Sequence, residues 1–348
     1  SYDFDLAIVA FWEVAAAVTP VIHEYSPSTR VIVNSMDIHF LRHARQAFGE
    51  EGAVDEGFGR AATDELNEYH AADAVIAVSD KERALLGDFV GDDRVFTLPL
   101  AERIERSTVP LAERSGMYFV GNFRHVPNRD AVAYLANEVL PLVDPALLER
   151  HPFTVIGNYL DQITLDIDPQ TPGLNLVGWV PSVQPYVERS RVTVVPLLHG
   201  AGVKRKVIQS MMAYTPVVTT PVGAEGLDLV QGRHALISAD ASDMAAALTR
   251  VLTDDELWHD LAEAGAAHVD GRHGLEAIGQ TFETLIADVM AAPLRPRPVG
   301  DTEVDTDVPH VDAASIRERI QAIAEPGESV LVVTLSLIHI SEPTRPLH

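Results

Sequence analysis

The residues best suited to chemistry lie in one short stretch, from Gly200 to Lys206, which follows the apolar run 192–197. Two glycines separated by one small residue form a turn after a predicted strand, and three basic residues open the predicted helix 203–213. Free N–H groups at a helix N-terminus attract anions, and glycines let a phosphate approach the backbone closely. Basic residues in a first turn oppose the helix dipole unless a negative group lies there. This pattern predicts a phosphate-binding site.

The distribution of lysine supports this interpretation. The chain contains only Lys81, Lys204 and Lys206, so two of its three lysines stand in this stretch. They do so in an acidic protein, because 26 Lys and Arg against 51 Asp and Glu give a formal net charge of −25. The alternative is a solvated basic turn, or salt bridges from these lysines to the many carboxylates, and it stays open at this point.

Composition excludes several classes of protein. The 348 residues suffice for two domains, and the acid excess argues against a nucleic-acid partner, because phosphate backbones require basic surfaces. With no cysteine, disulfides, thiolate metal sites and cysteine nucleophiles are excluded. No apolar run reaches about 18 residues and no signal-peptide pattern opens the chain, so a soluble, cytoplasmic protein without a transmembrane segment is expected. Peripheral membrane contact and the oligomeric state stay open.

Short β-branched runs alternate with longer helical segments along most of the chain. The predicted strands are 5–10, 30–34, 74–78, 94–98, 117–120, 153–156, 175–177, 192–197, 217–219 and 235–238. The predicted helices are 38–48, 58–71, 81–89, 130–143, 183–189, 203–213, 243–252, 255–267 and 275–291. Apolar strands separated by helices are typical of parallel sheets that are buried on both faces. We therefore predict an α/β fold with two doubly wound parallel-sheet domains in tandem.

Four motifs between residues 117 and 240 resemble the donor-binding half of one enzyme family. They are Phe119-Val-Gly-Asn-Phe-Arg-His-Val-Pro-Asn128, Val177-Gly-Trp-Val-Pro181, Gly200-Ala-Gly-Val-Lys-Arg-Lys-Val207 and Pro216-Val-Val-Thr-Thr-Pro-Val-Gly-Ala-Glu-Gly-Leu227. The family is the retaining glycosyltransferases of family 4, the group 1 glycosyltransferases with the GT-B fold. The order and spacing of four separate motifs make the resemblance specific. A weaker resemblance covers residues 1–100.

This resemblance implies two Rossmann-like domains that face each other across a cleft. The second domain would hold a nucleotide-diphosphate sugar, and the first would present the acceptor hydroxyl of a glycan or a lipid-linked molecule. Such enzymes are usually independent of metals, so the resemblance implies no cofactor and no metal, and protein groups would stabilise the departing diphosphate. The family's usual setting is the synthesis of bacterial polysaccharides or cell-envelope glycans.

The resemblance also implies roles for individual residues. Lys206 and Arg124 would be catalytic, because they would stabilise the leaving diphosphate. Gln209, about one helical turn after Lys206, would face the ribose or the sugar. The donor-binding residues would be Gly121, Asn122, Gly178, Trp179, Val180, Gly200, Ala201, Gly202, Val203, Lys204 and Gln209.

The chain departs from the family pattern at functional positions. Family members commonly carry two glutamates with seven residues between them, where this sequence has Ala201 and Gln209. Asn122 and Pro127 replace an Arg and a Lys that are common after the first strand. A glutamine still hydrogen-bonds hydroxyls but lacks the charge-assisted bond of a carboxylate. Two alternatives therefore stay open: a nucleotide-sugar-binding domain without turnover, and a GT-B sugar-nucleotide epimerase or hydrolase.

Polar residues that follow two strands of the first half are candidates for the acceptor side. Asp37 and His39 follow the strand 30–34, and Trp12 follows the strand 5–10. Ligands of parallel sheets bind outside the carboxyl ends of the strands. Asp37 and Trp12 are therefore predicted to contact the acceptor, and His39 is predicted to be catalytic. Local packing of His39 and of Trp12 is the alternative.

The chain divides into five predicted parts. Residues 1–100 form a partial acceptor-side domain, 101–291 the nucleotide-sugar-binding domain, 292–310 a Pro-rich acidic linker and 311–334 the start of a truncated further unit. Residues 335–345 resemble a translated sequencing adaptor, so we expect 335–348 to be an artefact outside the fold.

Overall fold

A computed structural model describes residues 4–36, 38–41, 56–168, 171–200 and 202–295. Asp37 and Ala201, both predicted site residues, lie outside the described residues, as do the predicted further unit 311–334 and the adaptor-like tail. The described chain builds two sheets in which all strands are parallel. The predicted α/β fold with two doubly wound domains is therefore confirmed.

The first sheet has four strands in the order β1-β2-β3-β4, which is also their order along the chain. The strands are β1 (Leu6–Ala10), β2 (Arg30–Asn34), β3 (Ala74–Ala77) and β4 (Val95–Thr97), and the helices are α1 (Trp12–Tyr25), α2 (Glu56–Ala71) and α3 (Asp80–Val90). The three middle residues of β2, Val31, Ile32 and Val33, are apolar and buried, and every residue of β3 is apolar and buried. Burial on both faces is what a parallel sheet between helices requires.

The second sheet has six strands in the order β10-β9-β8-β5-β6-β7. The strands are β5 (Met117–Val120), β6 (Phe153–Ile156), β7 (Leu174–Gly178), β8 (Val192–Val195), β9 (Val217–Thr219) and β10 (Leu236–Ile237). The helices are α4 (Val126–Tyr134), α5 (Pro145–Arg150), α6 (Gln184–Arg189), α7 (Arg205–Met212), α8 (Pro221–Ala224), α9 (Ala241–Thr253), α10 (Asp255–His273) and α11 (Leu275–Ala291). Because β5 pairs with β6 on one side and with β8 on the other, the strand order reverses at β5. In doubly wound sheets this reversal opens a crevice that binds ligands.

Helix α11, the last one among the described residues, returns to the first domain. Leu285 and Val289 of α11 pack against Ile32, Ala74 and Ile76 of the first sheet. The second domain drawn from the sequence as 101–291 includes α11, whereas the structure packs α11 on the first sheet, because its apolar residues are buried there. Chain order alone cannot indicate which sheet a terminal helix covers.

Polar contacts join the two domains on the side of α3. Lys81 Nζ lies 2.5 Å from Glu225 Oε1, and Arg272 Nη2 lies 2.8 Å from Asp228 Oδ2 and 3.5 Å from Asp80 Oδ2. These ion pairs bring the start of α3 against the loop that follows α8. The carboxyl ends of both sheets therefore lie near each other.

Most elements agree with the sequence prediction, and the main difference is α1. No helix was predicted between residues 10 and 30, yet α1 spans most of this range and runs through Pro20, a residue type that disfavours a helix interior. Helix α4 begins four residues before the predicted start at 130, with Pro127 in its first turn, where proline is tolerated. None of the described helices is long and apolar enough to cross a bilayer.

Candidate functional site

A cavity of about 240 Å³ lies beyond the carboxyl ends of β5, β6, β7 and β8, at the point where the strand order reverses. Its wall includes the loops after these strands and one side of α7. The polar and glycine residues that line it are Gly121, Asn122, His125, Asn128, Gly157, Asn158, Gly200, Lys204, Arg205, Lys206 and Gln209. Trp179 and Val180 line it as well, and Trp179 is 60% exposed. The structure thus brings together residues from three of the four sequence motifs.

Two glycines form the floor of the cavity. A Cβ on Gly157 would lie 1.7 Å from the carbonyl oxygen of Gly121, and Gly157 has a positive φ of +147°. The N–H of Gly121 donates to the carbonyl of Ile156 at 3.0 Å, so the loops after β5 and β6 are locked together. No residue with a side chain fits at Gly157 without separating these loops. A ligand in the cavity therefore meets bare backbone at this point.

The ammonium group of Lys206 is held by a hydrogen bond and by an aromatic ring. Its Nζ donates to Oδ1 of Asn128 at 2.9 Å and lies 4.1 Å from the centre of the Phe119 ring. Burial, and then the charge of Lys204, lower the pKa of Lys206 to about 7. An anion in the cavity would favour the charged form of a buried ammonium that lies beside a second ammonium.

Lys204 lies at the N-cap position of α7 and is buried. Its Nζ donates to the carbonyl of Gly202 at 2.5 Å. Helix α7 begins at Arg205, two residues later than predicted, so the basic residues occupy the N-cap and the first two helical positions. The two lysines and the N-terminus of α7 together form a positive wall of the cavity.

The same wall of the cavity also contains Arg205 and Gln209, and both side chains donate hydrogen bonds to one carboxylate. Arg205 Nε donates to Oε1 of Glu102, and Gln209 Nε2 donates to Oε2 of the same carboxylate at 3.3 Å. Glu102 is a residue that the sequence did not single out. It lies in the connection between the domains, 107 residues before Gln209, and no local pattern connects the two positions.

Two histidines stand near the positive wall. His125 lines the cavity, and burial lowers its pKa, with further lowering by Lys206 and Arg129. His199 Nε2 lies 2.7 Å from Asp130 Oδ2. His125 is therefore a neutral group beside the cations, available as a hydrogen-bond partner.

The structure separates some predicted donor residues from the cavity. Arg124 stacks on the ring of Tyr159, with its guanidinium carbon 3.8 Å from the ring centre, and it is not among the lining residues. Val203 is part of the buried core. Gly178 and Gly202 contribute carbonyls that accept from Gly157 N and from Lys204 Nζ. Gly157, Asn158 and Asn128 were missed, although the first two directly follow the predicted strand 153–156.

A second polar cluster follows the strands of the first sheet. Nδ1 of His39 lies 2.8 Å from Oε1 of Glu13 and 3.2 Å from Nε1 of Trp12. These contacts exclude each other, because Glu13 needs a proton on Nδ1 and the indole N–H needs a lone pair there. Nε2 of His39 is buried and has no hydrogen-bond partner among the described residues.

Glu65 fixes the loop that carries His39. Its carboxylate accepts from the N–H groups of His39 at 2.8 Å and of Phe40 at 2.6 Å, and from the hydroxyl of Tyr69 at 2.8 Å. His39 and Trp12 thus lie together after neighbouring strands, and their roles towards an acceptor stay predictions. Glu13 and Glu65 were not predicted, because both are helix residues whose partners are distant in sequence. Within the described ranges, no three His, Asp or Glu side chains are grouped to hold a metal ion.

Comparison with known proteins gives the following similarities. Residues 114–254 match the family model described as "Glycosyl transferases group 1". No curated protein sequence matches the chain significantly. Among solved structures, a sucrose-phosphate synthase from Thermosynechococcus elongatus superposes with a TM-score of 0.61 at 18% identity, over 82% of this chain and 74% of that chain.

Two further structures are similar at the level of the fold. The Anabaena protein Alr3699/HepE in complex with UDP gives a TM-score of 0.62 at 12% identity, over 82% of this chain and 79% of that chain. A variant of S. aureus TarM in complex with Fondaparinux, alpha-GlcNAc-glycerol and UDP gives 0.59 at 12% identity. The match covers 82% of this chain and 55% of TarM, so this chain spans about half the length of TarM. These similarities support the GT-B fold.

Proposed function

We propose that this chain, whose residues 114–254 match the group 1 glycosyltransferase family model, transfers a sugar from a nucleotide-diphosphate sugar to an acceptor hydroxyl. The observation that carries the proposal is the pair of lysines, Lys204 and Lys206, at the N-terminus of α7 beside a glycine-floored cavity. Two cations, a helix N-terminus and bare backbone are the groups that a diphosphate requires. Solved structures of the same fold that hold UDP, such as Alr3699/HepE, support this choice of ligand.

In the proposed donor complex, the diphosphate lies against Lys204 and Lys206, and the nucleoside and sugar extend towards Trp179 and Gln209. A charge-assisted hydrogen bond stabilises such a complex by about 1.5–3 kcal/mol. Lys206 gains most, because burial and the charge of Lys204 lower its pKa to about 7 and so disfavour its charged form, which a bound diphosphate favours. Arg124 stacks on Tyr159 in this structure and is not assigned to the clamp.

The proposed reaction proceeds with retention at the anomeric carbon by displacement on one face of the sugar. The bond between the anomeric carbon and the diphosphate oxygen breaks, and the acceptor oxygen forms a bond on the same face. The acceptor proton passes to the departing phosphate oxygen. Lys206 stabilises the negative charge that develops on that oxygen, which is its catalytic role. The residues require no metal in this scheme, so activity in excess EDTA is expected to equal activity with added Mg²⁺.

We propose that the first domain presents the acceptor, and that His39 contacts it or the reacting sugar. When Nδ1–H of His39 donates to Glu13, Nε2 is a hydrogen-bond acceptor for a hydroxyl. The ring of Trp12 meets the ring of His39 edge-on, with the ring centres 6.5 Å apart. The resemblance to family 4 supports a glycan or lipid-linked acceptor, a cytoplasmic location and a place in polysaccharide or cell-envelope synthesis.

A second candidate function is binding of a nucleotide sugar without turnover. Gln209 favours it, because the cavity presents an amide where a carboxylate would bind hydroxyls more strongly. Transfer of radiolabelled sugar from UDP-, GDP- or ADP-sugars to a polysaccharide or lipid-linked acceptor separates the candidates. Labelled glycan supports the transferase, binding without product supports the second function, and acceptor-independent release of free sugar or of an epimer indicates the hydrolase or epimerase.

A further inference from the structure

We infer that Glu102, in the connection between the two domains, is a positioning residue that makes Gln209 a hydrogen-bond acceptor for ligand hydroxyls and keeps Arg205 away from the phosphate. This inference rests on the proposed nucleotide-sugar donor. It concerns the part of the cavity where this sequence has Gln209 in place of the glutamate that is common in the family. The shared chemistry of the ligand is a hydroxyl group, from either the ribose or the transferred sugar.

The Glu102 side chain is firmly held. It is only 6% exposed, although it belongs to a connection between domains. Its backbone N–H donates to the carbonyl of His273 at 2.9 Å, and Nδ1 of His273 contacts the carbonyl of Leu100 at 2.9 Å. The end of α10 therefore fixes the backbone on both sides of residue 101. The carboxylate itself is held by the hydrogen bonds that it accepts from Arg205 and Gln209.

The chemistry of the carboxylate decides the orientation of Gln209. A carboxylate oxygen accepts hydrogen bonds and donates none, so the amide group 3.3 Å from Oε2 of Glu102 must be the Nε2 of Gln209. The other branch of the amide, Oε1, is then free to accept. Gln209 lines the cavity, so this wall accepts hydrogen bonds from a ligand. Hydroxyl groups can donate such bonds, whereas ionised phosphate oxygens cannot.

The same carboxylate also pairs the charge of Arg205. Arg205 also lines the cavity, but its Nε donates to Oε1 of Glu102 in a salt bridge. Its charge is thereby paired, whereas Lys204 and Lys206 stand close enough for Lys204 to lower the pKa of Lys206. The cavity thus has a positive part at the lysines and an accepting part at Gln209, one turn along α7. Glu102 maintains this division and fixes the orientation of the bound donor.

The test uses titration calorimetry to measure hydroxyl preference, which is the affinity of a probe that carries the hydroxyl groups divided by the affinity of the matching probe that lacks them. The probes are inorganic pyrophosphate, whichever of UDP, GDP and ADP binds tightest, its 2′,3′-dideoxy analogue, and the corresponding glucose conjugate. In the wild-type chain, loss of the ribose hydroxyls or of the glucose lowers the affinity, and the larger loss identifies which hydroxyls Gln209 contacts. In Glu102→Gln the amide of Gln209 can turn, so this preference falls about fivefold. Pyrophosphate affinity does not fall.

Variants that exchange the side chains of Glu102 and Gln209 provide the most direct control. Gln209→Glu places two carboxylates side by side and is expected to bind every nucleotide probe more weakly. The double variant Glu102→Gln/Gln209→Glu returns one carboxylate and one amide, with the carboxylate at the cavity, and the preference recovers to the wild-type value or above. Gln209→Leu leaves the Glu102–Arg205 pair intact and also loses the preference, which keeps the test valid if Glu102→Gln unfolds.

The outcomes distinguish the inference from the proposed function. If Glu102→Gln weakens pyrophosphate, the dideoxy analogue and the ribonucleotide by one common factor, Glu102 is only structural and the inference is wrong. The same conclusion follows if Gln209→Leu keeps the full preference. If the folded wild-type chain binds none of the nucleotides, the proposed function fails together with the inference.

Discussion

Nζ of Lys206 lies 2.9 Å from Oδ1 of Asn128, so a helix that follows β8 is joined to a helix that follows β5 across the reversal of strand order. Asn128 belongs to the first turn of α4 and Lys206 to the first turn of α7. This hydrogen bond holds the ammonium at the cavity wall. Under the proposed function, a cation held at this position stabilises the leaving phosphate.

The pKa of Lys206 predicts a pH dependence of donor binding. Lys206 is charged below its pKa of about 7 and becomes neutral above it, while a bound diphosphate requires the charged form. Affinity for the nucleoside diphosphate is therefore expected to fall by up to about tenfold per pH unit between pH 7 and 9. Calorimetry in buffers of different ionisation enthalpy should show proton uptake on binding at pH 8.

Lys206→Arg is the matched control for this dependence, because an arginine stays charged throughout the range. Its affinity should change little between pH 7 and 9, and proton uptake should disappear. An equally steep fall in the arginine variant would assign the pH dependence to another group.

Gly157→Ala tests the floor of the cavity. Its new Cβ would lie 1.7 Å from the Gly121 carbonyl oxygen, so the loops must separate, and we expect the free energy of unfolding to fall by about 3 kcal/mol. Nucleotide affinity should fall as well, because both loops line the cavity. Denaturant melts and calorimetry measure the two effects.

Gly279→Ala supplies the control, because a Cβ at this position in α11 meets nothing within 4 Å. This substitution in a helix interior should stabilise the protein by about 0.5–1 kcal/mol and leave nucleotide binding unchanged. Equal stability of Gly157→Ala and the wild type would show that the two loops are not packed as described.

Glu13→Ala tests the role of His39. Without Glu13, the Trp12 N–H is the group left to bind Nδ1, so it selects the tautomer with the proton on Nε2. We expect kcat to fall about tenfold, with donor affinity unchanged. Steady-state kinetics with a fixed acceptor and varied donor separate the two quantities.

Glu13→Gln should recover most of this activity, because the amide oxygen still accepts from Nδ1–H. Glu24→Ala, at an exposed position near the end of α1, serves as a control and should change neither quantity. A loss of donor affinity in Glu13→Ala would contradict the placement of His39 on the acceptor side.

The sequence predicted the sheets and the positive wall for definite physical reasons. Apolar β-branched runs such as 192–197 favour burial on both faces, and a glycine turn followed by lysines favours an anion. Helix α1 was missed, and packing against the first sheet overrides the preference of its Pro20 against a helix interior. Glu102 and Glu13 could not be predicted from local patterns. Each acts on a partner that only the folded chain brings near, Gln209 in one case and His39 in the other.

The most direct test of the account compares wild type with Lys206→Ala for binding of UDP, GDP and ADP in EDTA at pH 7. Arg106→Ala, which removes an exposed cation paired with Glu263 outside the cavity, is the control. We predict that at least one nucleotide binds the wild type and Arg106→Ala equally, and binds Lys206→Ala about 10- to 100-fold more weakly. Equal affinity of Lys206→Ala and the wild type would contradict the assignment of this cavity as the diphosphate site.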